Sequence, residues 1–326
     1  MMKTTKWGII GCGDVVEVKS GPAFSLVDGF ELHAVMRRNA KLAQDFAKRH
    51  GVSKYYTDAQ ALINDPEVDA VYIATPPDAH QEYAIQVAKA GKICCIEKPM
   101  ANDYQSCVAI NQAFETRGLP LFVAYYRRSL ERFQEVKKWI SEGEIGTPRH
   151  VHWQLSQPAS DFDIAQKYQW RTDERIALGG YFDDLGSHGI DFLCYLLGSI
   201  KVVNGLACNQ QQLYKVPDAV VAHWQFESGV TGTGAWNFGS FCREDKVKIY
   251  GAKGVIECAI FEDRPFQLIN QKGQKYTDIA YPKHIQYDHL KKIQETLATG
   301  VPHPSTGESA AHTAWVMEAI LRGQKA

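Results

Sequence analysis

Two short stretches of this 326-residue chain hold side chains of the right types and spacing for chemistry. The first is Glu97-Lys98-Pro99-Met100, directly behind the apolar run Lys92-Ile93-Cys94-Cys95-Ile96. That run reads as a buried parallel strand. A lysine at the carboxyl end of such a strand sits where open α/β sheets bind ligands. Pro99 fixes the local backbone and ends the strand. The second stretch is Asp184-Leu185-Gly186-Ser187-His188, after Gly179-Gly180. Apolar residues at 185, 192, 193, 196 and 197 predict a helix from near Asp184 to Leu197. Asp184 and His188 are then i and i+4 on one face, within hydrogen-bonding range. A carboxylate beside an imidazole is a natural acid–base pair. Asp191, one turn on, either orients the imidazole or faces solvent. Taken singly, each stretch has an ordinary explanation: a surface Glu-Lys pair at a strand end, and a salt bridge along a helix.

The elements that would position these residues are legible around them. Lys6 to Ile10 is a short strand running into Gly11-Cys12-Gly13-Asp14-Val15-Val16, a G-x-G-x-x-G fingerprint whose third glycine is Val16. Gly11 allows the tight turn, and Gly13 lets backbone N–H groups approach a pyrophosphate at a helix N-terminus. A second strand, Glu31 to Met36, is followed by Arg37-Arg38-Asn39 and a helix from about Ala40 to His50, stopped by Gly51. In the fingerprint an acid stands here to bind the ribose 2′-hydroxyl; Arg37 suits a 2′-phosphate instead, with Arg38 adding charge or stacking on adenine. The expected cofactor is therefore NADP(H), with NAD(H) the second choice. A strand at Val68 to Ala74 ends at Thr75-Pro76-Pro77, a helix runs from His80 to Ala90, and the Lys98 strand comes next. His80 lines the cofactor side, caps the helix or lies on the surface. Another helix, Tyr104 to Arg117, precedes a strand from Leu119 to Tyr126 that brings Tyr126, Arg127 and Arg128 to the edge that carries Lys98. This alternation predicts a doubly wound parallel sheet.

Beyond Gly146 the pattern changes. Arg149 to Leu155 alternates as a half-exposed strand, and further strands are expected at 202–209, 220–227, 230–238, 246–250 and 255–259, some joined by hairpins such as Glu227-Ser228-Gly229. His150 and His152 share a face, but no third ligand stands at a matching spacing, so no metal site is expected. The fold class that follows is α/β: an N-terminal Rossmann domain over 1–123, and an α+β domain over 124–326 with a large, mostly antiparallel open sheet. The closing helix is left free to pack back on the first domain. A one-faced sheet of this size suits a homodimer or homotetramer.

The net charge of -1 gives no electrostatic reason to expect nucleic acid or an anionic membrane as partner. No apolar run approaches the length of a membrane span. Eight scattered cysteines without a Cys-x-x-Cys pair fit reduced thiols in a cytoplasmic protein.

Gly11-x-Gly13, Glu97-Lys98-Pro99 and Asp184-x-x-x-His188 after Gly179-Gly180 together resemble the glucose-fructose oxidoreductase / inositol dehydrogenase / MocA group of NAD(P)-dependent oxidoreductases. The resemblance runs essentially the whole length, through Trp170-Arg171, Tyr250-Gly251-x-x-Gly254 with Glu257, and the closing helix from Pro304 to Arg322. It implies hydride transfer between nicotinamide and a carbon bearing a hydroxyl or carbonyl, on a sugar, cyclitol or dihydrodiol. By the same resemblance Lys98 and Asp184 hold and polarise the substrate oxygen, His188 is the general acid/base, Glu97 lies near the nicotinamide ribose, and the peptide before Pro99 is often cis. The cofactor set is then Gly11, Cys12, Gly13, Asp14, Val15, Arg37, Arg38, Thr75, Pro76, His80, Glu97 and Lys98. Tyr126, Arg128, Trp153, Trp170 and Arg171 are substrate-side candidates by position. The chain departs from the group at Tyr181, where a third glycine is usual, and at Arg37. Two other functions remain on this pattern: an NAD-dependent glycosidase, against which Arg37 speaks, and a regulator that binds nucleotide without catalysis.

Overall fold

The computed structural model describes residues 4–323. The chain forms two compact units, Met1–Ser129 with Pro282–Ala311, and Leu130–Tyr281 with His312–Ala326.

In the first unit six strands form one sheet: β1 (Thr5–Ile10), β2 (Phe30–Met36), β3 (Lys54–Tyr56), β4 (Ala70–Ile73), β5 (Ile93–Ile96) and β6 (Leu121–Val123). Their spatial order is β3-β2-β1-β4-β5-β6, and every pairing is parallel. This is the doubly wound dinucleotide-fold order, whose switch point lies between β1 and β4. The four residues of β4 are all buried, which a strand covered on both faces requires. Helices Ala40–His50, His80–Lys89 and Tyr104–Glu115 connect the strands. Asn39, Asp58 and Asp103 cap their helices through the side-chain oxygen, at the places where Asx residues precede each helical pattern. The core gathers Trp7, Phe24, Phe30 and Tyr72, with ring centroids about 5 Å apart, and takes Leu290 and Ile293 from the late segment.

In the second unit eight strands form one sheet: β7 (Pro148–Ser156), β8 (Ile200–Cys208), β9 (Ala219–Phe226), β10 (Thr231–Asn237), β11 (Glu244–Gly251), β12 (Gly254–Cys258), β13 (Phe266–Asn270) and β14 (Gly273–Thr277). The order is β14-β13-β12-β11-β7-β10-β9-β8, antiparallel except for β7 beside β10. Glu227-Ser228-Gly229 does turn β9 into β10, with Gly229 at φ +86°. The hairpin β13–β14 was not expected from the sequence; all but one of β14's residues are exposed, so it lacks the buried alternation that marks a strand. On the covered face Trp153 meets Trp236 edge-on at 5.3 Å, Phe182 meets Trp236 at 4.8 Å and Phe133 meets Phe192 at 4.8 Å. Trp153 is therefore a core residue; its indole N–H donates to buried Asp245 at 3.2 Å.

The helix expected from Asp184 to Leu197 begins with a π turn, Phe182–Gly186, and only Ser187–Leu197 is α-helical. The apolar spacing from 185 to 197 fits a single helix, because one inserted residue is invisible to a pattern carried mostly by its last two turns.

Candidate active site

In the first unit the chemistry-bearing residues collect at the carboxyl ends of β1, β4 and β5. Gly11 follows β1 at φ +96°, and a Cβ there would lie 2.9 Å from the Ala74 carbonyl carbon and oxygen. Only glycine lets β1 turn this close to β4. A Cβ on Gly13 would stand in open space, so the backbone of Gly13 is accessible to a group as flat-sided and close as a pyrophosphate. Thr75, just past β4, has a buried hydroxyl with no hydrogen-bond partner among the described residues. Such an atom is costly unless something else supplies the bond. The Arg37 guanidinium donates from Nη1 to the Cys12 carbonyl at 3.2 Å, across the glycine turn. Arg38 is exposed beside it. Burial pushes the Cys12 thiol up, with Arg37 opposing it, so the thiol is no nucleophile at neutral pH. A phosphate-rich dinucleotide fits this donor set: an open glycine backbone, an unsatisfied hydroxyl and a cation.

Lys98 follows β5, and its peptide with Pro99 is cis, as the resemblance implies. Two buried devices hold this turn. His80 is fully buried, with Nε2 2.8 Å from the Thr75 carbonyl and Nδ1 3.0 Å from the Pro99 carbonyl. It ties the loop after β4 to the loop after β5. Burial holds its pKa below the usual histidine range, and a neutral ring can donate to only one of the two carbonyls. The other device is the Glu97 carboxylate. Its Oε1 accepts from the Tyr72 hydroxyl and from Gln286 Nε2, and its Oε2 accepts from the Lys98 main-chain N–H at 3.2 Å. Tyr72, Glu97 and Gln286 are all buried. Burial, with the Glu97 charge, pushes the Tyr72 phenol well above its ordinary value, so it stays a donor. Tyr72 and Gln286 escaped the sequence reading. Gln286 lies 189 residues from Glu97, and no local pattern joins them. Of the other candidates in this unit, Arg128 is buried and donates to the Pro304 carbonyl at 2.9 Å, and Tyr126 lies under the Arg127 guanidinium at 5.0 Å.

In the second unit Asp184 and His188 are each 5 % exposed. Asp184 lies in the π turn, and His188 in the α-helix that continues it. Asp184 Oδ2 accepts from Arg171 Nε at 2.5 Å, a charge-assisted bond. The Arg171 guanidinium lies 4.4 Å from the Trp170 ring centroid. The His188 imidazole packs edge-on against Phe261 at 5.7 Å. Asp191 is fully buried and accepts from the Thr313 hydroxyl at 3.2 Å, so it does not face solvent. Asp183, on the far side of the turn, accepts the Gly179 N–H at 2.7 Å; burial pushes its carboxyl up to about 6, the Asp184 charge adding to the rise. Tyr181 is buried and hydrogen-bonded to Asp163 and Gln169. On the outer sheet face His150 and His152 each bond a threonine hydroxyl of β10, at 3.1 and 2.9 Å. Among the described residues no group of three His, Cys, Asp or Glu could hold a metal ion, and no helix is long and apolar enough to cross a membrane.

Residues 5–125 match the oxidoreductase family with an NAD-binding Rossmann fold, and residues 133–257 match the GFO/IDH/MocA C-terminal domain. An oxidoreductase of Formosa agariphila is 34 % identical over 98 % of this chain and 98 % of its own length. The scyllo-inositol 2-dehydrogenase (NADP(+)) of Bacillus subtilis is 30 % identical over 64 % of this chain and 56 % of its own. Among solved structures, the aldose-aldose oxidoreductase of Caulobacter crescentus complexed with glycerol superposes with a TM-score of 0.87, at 24 % identity, covering 98 % of this chain and 97 % of that one.

Proposed function

Because this chain belongs to the GFO/IDH/MocA family of NAD(P)-dependent oxidoreductases, we propose that it oxidises or reduces a carbon bearing a hydroxyl or carbonyl on a sugar, cyclitol or dihydrodiol, with NADP(H) preferred over NAD(H). The observation that carries this reading is the Glu97 clamp beside Lys98. A buried carboxylate with three donors, at the carboxyl end of β5, is a costly arrangement for mere packing and a useful one for aiming the next residue.

When bound, the nicotinamide takes or gives the hydride. The Gly11–Gly13 backbone, Thr75 and Arg37 would hold the nucleotide, with Asp14, Val15, Pro76 and Arg38 alongside. His80 supports it indirectly by joining the Thr75 and Pro99 loops. Lys98 stabilises negative charge on the substrate oxygen, Asp184 orients that oxygen, and His188 takes or returns the hydroxyl proton. Lys98→Ala and His188→Ala should each lower kcat by about 10³-fold or more while leaving nucleotide affinity nearly unchanged. Normal turnover in either variant sinks these roles.

The NADP(H) preference is supported by Arg37, which holds a guanidinium over the glycine turn where an acid would repel a 2′-phosphate, and by the name of the Bacillus subtilis relative. Titrating stripped protein with NADPH and NADH by fluorescence should show tighter NADPH binding. Arg37→Asp should reverse the order by about tenfold or more. Tight NADH and weak NADPH in the wild type would overturn the preference and leave the fold intact. Net nucleotide reduction with a polyol separates an oxidoreductase from a glycosidase or a non-catalytic binder.

The same reading has the protein associating through the outer face of its eight-stranded sheet. Register sets Leu206, Val221, Tyr250 and Tyr276 on that face, 65, 49, 39 and 59 % exposed. Light scattering should give a dimer or tetramer, and Val221→Lys should shift it towards monomer; a wild-type monomer refutes the interface.

A further inference from the structure

Resting on that reading, we infer that Tyr181 is a specificity-determining positioning residue: with Asp163 and Gln169 it fixes the segment that holds Arg171 against Asp184, so that Arg171 takes a second oxygen of a vicinal-diol substrate. The Tyr181 hydroxyl donates to Asp163 Oδ2 at 2.7 Å and accepts from Gln169 Nε2 at 2.5 Å. Asp163 Oδ2 also accepts from the Ser160 hydroxyl at 2.6 Å, and Oδ1 accepts from Gln169 Nε2 at 2.5 Å. Tyr181 and Asp163 are buried, so each bond matters to the others. The phenol uses both its donor and its acceptor capacity, which neither phenylalanine nor a small residue can reproduce.

This brace touches both sides of the Arg171–Asp184 pair. Gln169 lies two residues before Arg171, at the start of the short helical turn Trp170–Thr172. Tyr181 lies three residues before Asp184, at the start of the π turn. Freeing the brace therefore loosens both partners of one 2.5 Å bond. Arg171 bonds Asp184 through Nε, its side chain is one-third exposed, and among the described residues its two terminal nitrogens meet no acceptor. A substrate oxygen held by Asp184 has its neighbour on the adjacent carbon of a 1,2-diol. A carboxylate and a guanidinium already joined by one bond can bracket such a pair of oxygens, one accepting a hydroxyl proton and the other donating to a lone pair. A lone alcohol would use half of this arrangement.

The test compares steady-state kinetics on trans-1,2-cyclohexanediol and cyclohexanol for the wild type, Tyr181→Phe, Asp163→Asn and Arg171→Lys. The wild type should favour the diol. Tyr181→Phe and Asp163→Asn should each raise KM for the diol about tenfold, with kcat within about threefold and KM for cyclohexanol within about twofold, whereas Arg171→Lys should remove the preference for the diol. Nucleotide affinity should not move. Equal shifts for both alcohols, or a lower melting temperature with an unchanged KM for the diol, would overturn the inference and leave Tyr181 a folding residue. A wild type that oxidises neither alcohol with NADP⁺ or NAD⁺ counts against the oxidoreductase reading itself. The brace is then decided by hydrogen exchange across residues 161–172: faster exchange in Tyr181→Phe supports it, and an unchanged pattern refutes it.

Discussion

Glu97 and Asp184 are buried carboxylates held in different ways. Glu97 takes its bonds from a phenol, a side-chain amide and a main-chain N–H, all neutral. Asp184 takes a bond from a guanidinium whose side chain is 33 % exposed. The first arrangement is geometric: it needs Tyr72 and Gln286 in place, and these three donors are all neutral. The second is electrostatic and reachable by solvent. The contrast extends to the titrating groups nearby. His289 and His303 in the first unit are buried and packed against each other at 4.7 Å, and burial holds His289 well below the usual range and brings His303 down to about 4. His303 Nδ1 accepts the Ser305 N–H at 3.0 Å and Nε2 faces the His289 carbonyl at 3.3 Å, bonds that only the neutral ring can make together. In the second unit Asp183 is pushed the opposite way, up to about 6.

The largest expected effect is therefore a pH response of opposite sign in the two units. A histidine whose folded pKa falls from 6.5 to about 4 stabilises fully above 6.5, and that contribution drains away as pH drops towards 4. An aspartate whose folded pKa rises from 3.8 to about 6 favours folding most below 3.8, and loses that contribution as pH climbs through 6. Each shift corresponds to about 3 kcal/mol at the far end of its window. Hydrogen exchange at pH 4.5 against pH 7 should show residues 286–305 opening more readily in acid, and residues 179–187 the reverse. Parallel responses in both segments would erase the distinction.

A middle-sized effect comes from Gln286→Leu. It deprives Glu97 of a neutral donor inside the protein and should cost about 1–3 kcal/mol of stability, with kcat falling more than nucleotide affinity. Calorimetry and kinetics together check it, and an unchanged kcat would mean that Glu97 is clamped for stability alone. The smallest effect is ionic. Raising salt from about 0.1 M to 1 M shortens the screening length from about 10 Å to about 3 Å. It should weaken the Arg171–Asp184 pair by about 1 kcal/mol or less and raise the substrate KM, without touching the Tyr72–Glu97–Gln286 set. A salt-independent KM would place Arg171 outside substrate binding.

Much of this was readable from residue order. The glycine turn, the βα alternation and the capping Asx residues are local signals, because helix and strand periods and backbone φ act within a few residues. They set the parallel sheet, the cofactor class and the short list containing Lys98, Asp184 and His188. The open antiparallel sheet was legible in outline, from alternation in β7, β9, β10 and β11, while exposed β14 was not. The packing of Trp153 in the core, the carbonyl bonds of His80 and the Pro304 bond of Arg128 became visible only in the fold. So did the insertion that makes the Asp184 segment a π turn.

What the sequence alone determined, then, is which elements form and which side chains have the chemistry. Tertiary structure decided how those side chains are held. Glu97 meets Gln286, 189 residues away, and Asp184 meets Arg171, 13 residues back through an irregular loop. A hydrogen bond depends on position to within tenths of an ångström, and no periodicity of apolar residues carries that information across a loop or a chain reversal.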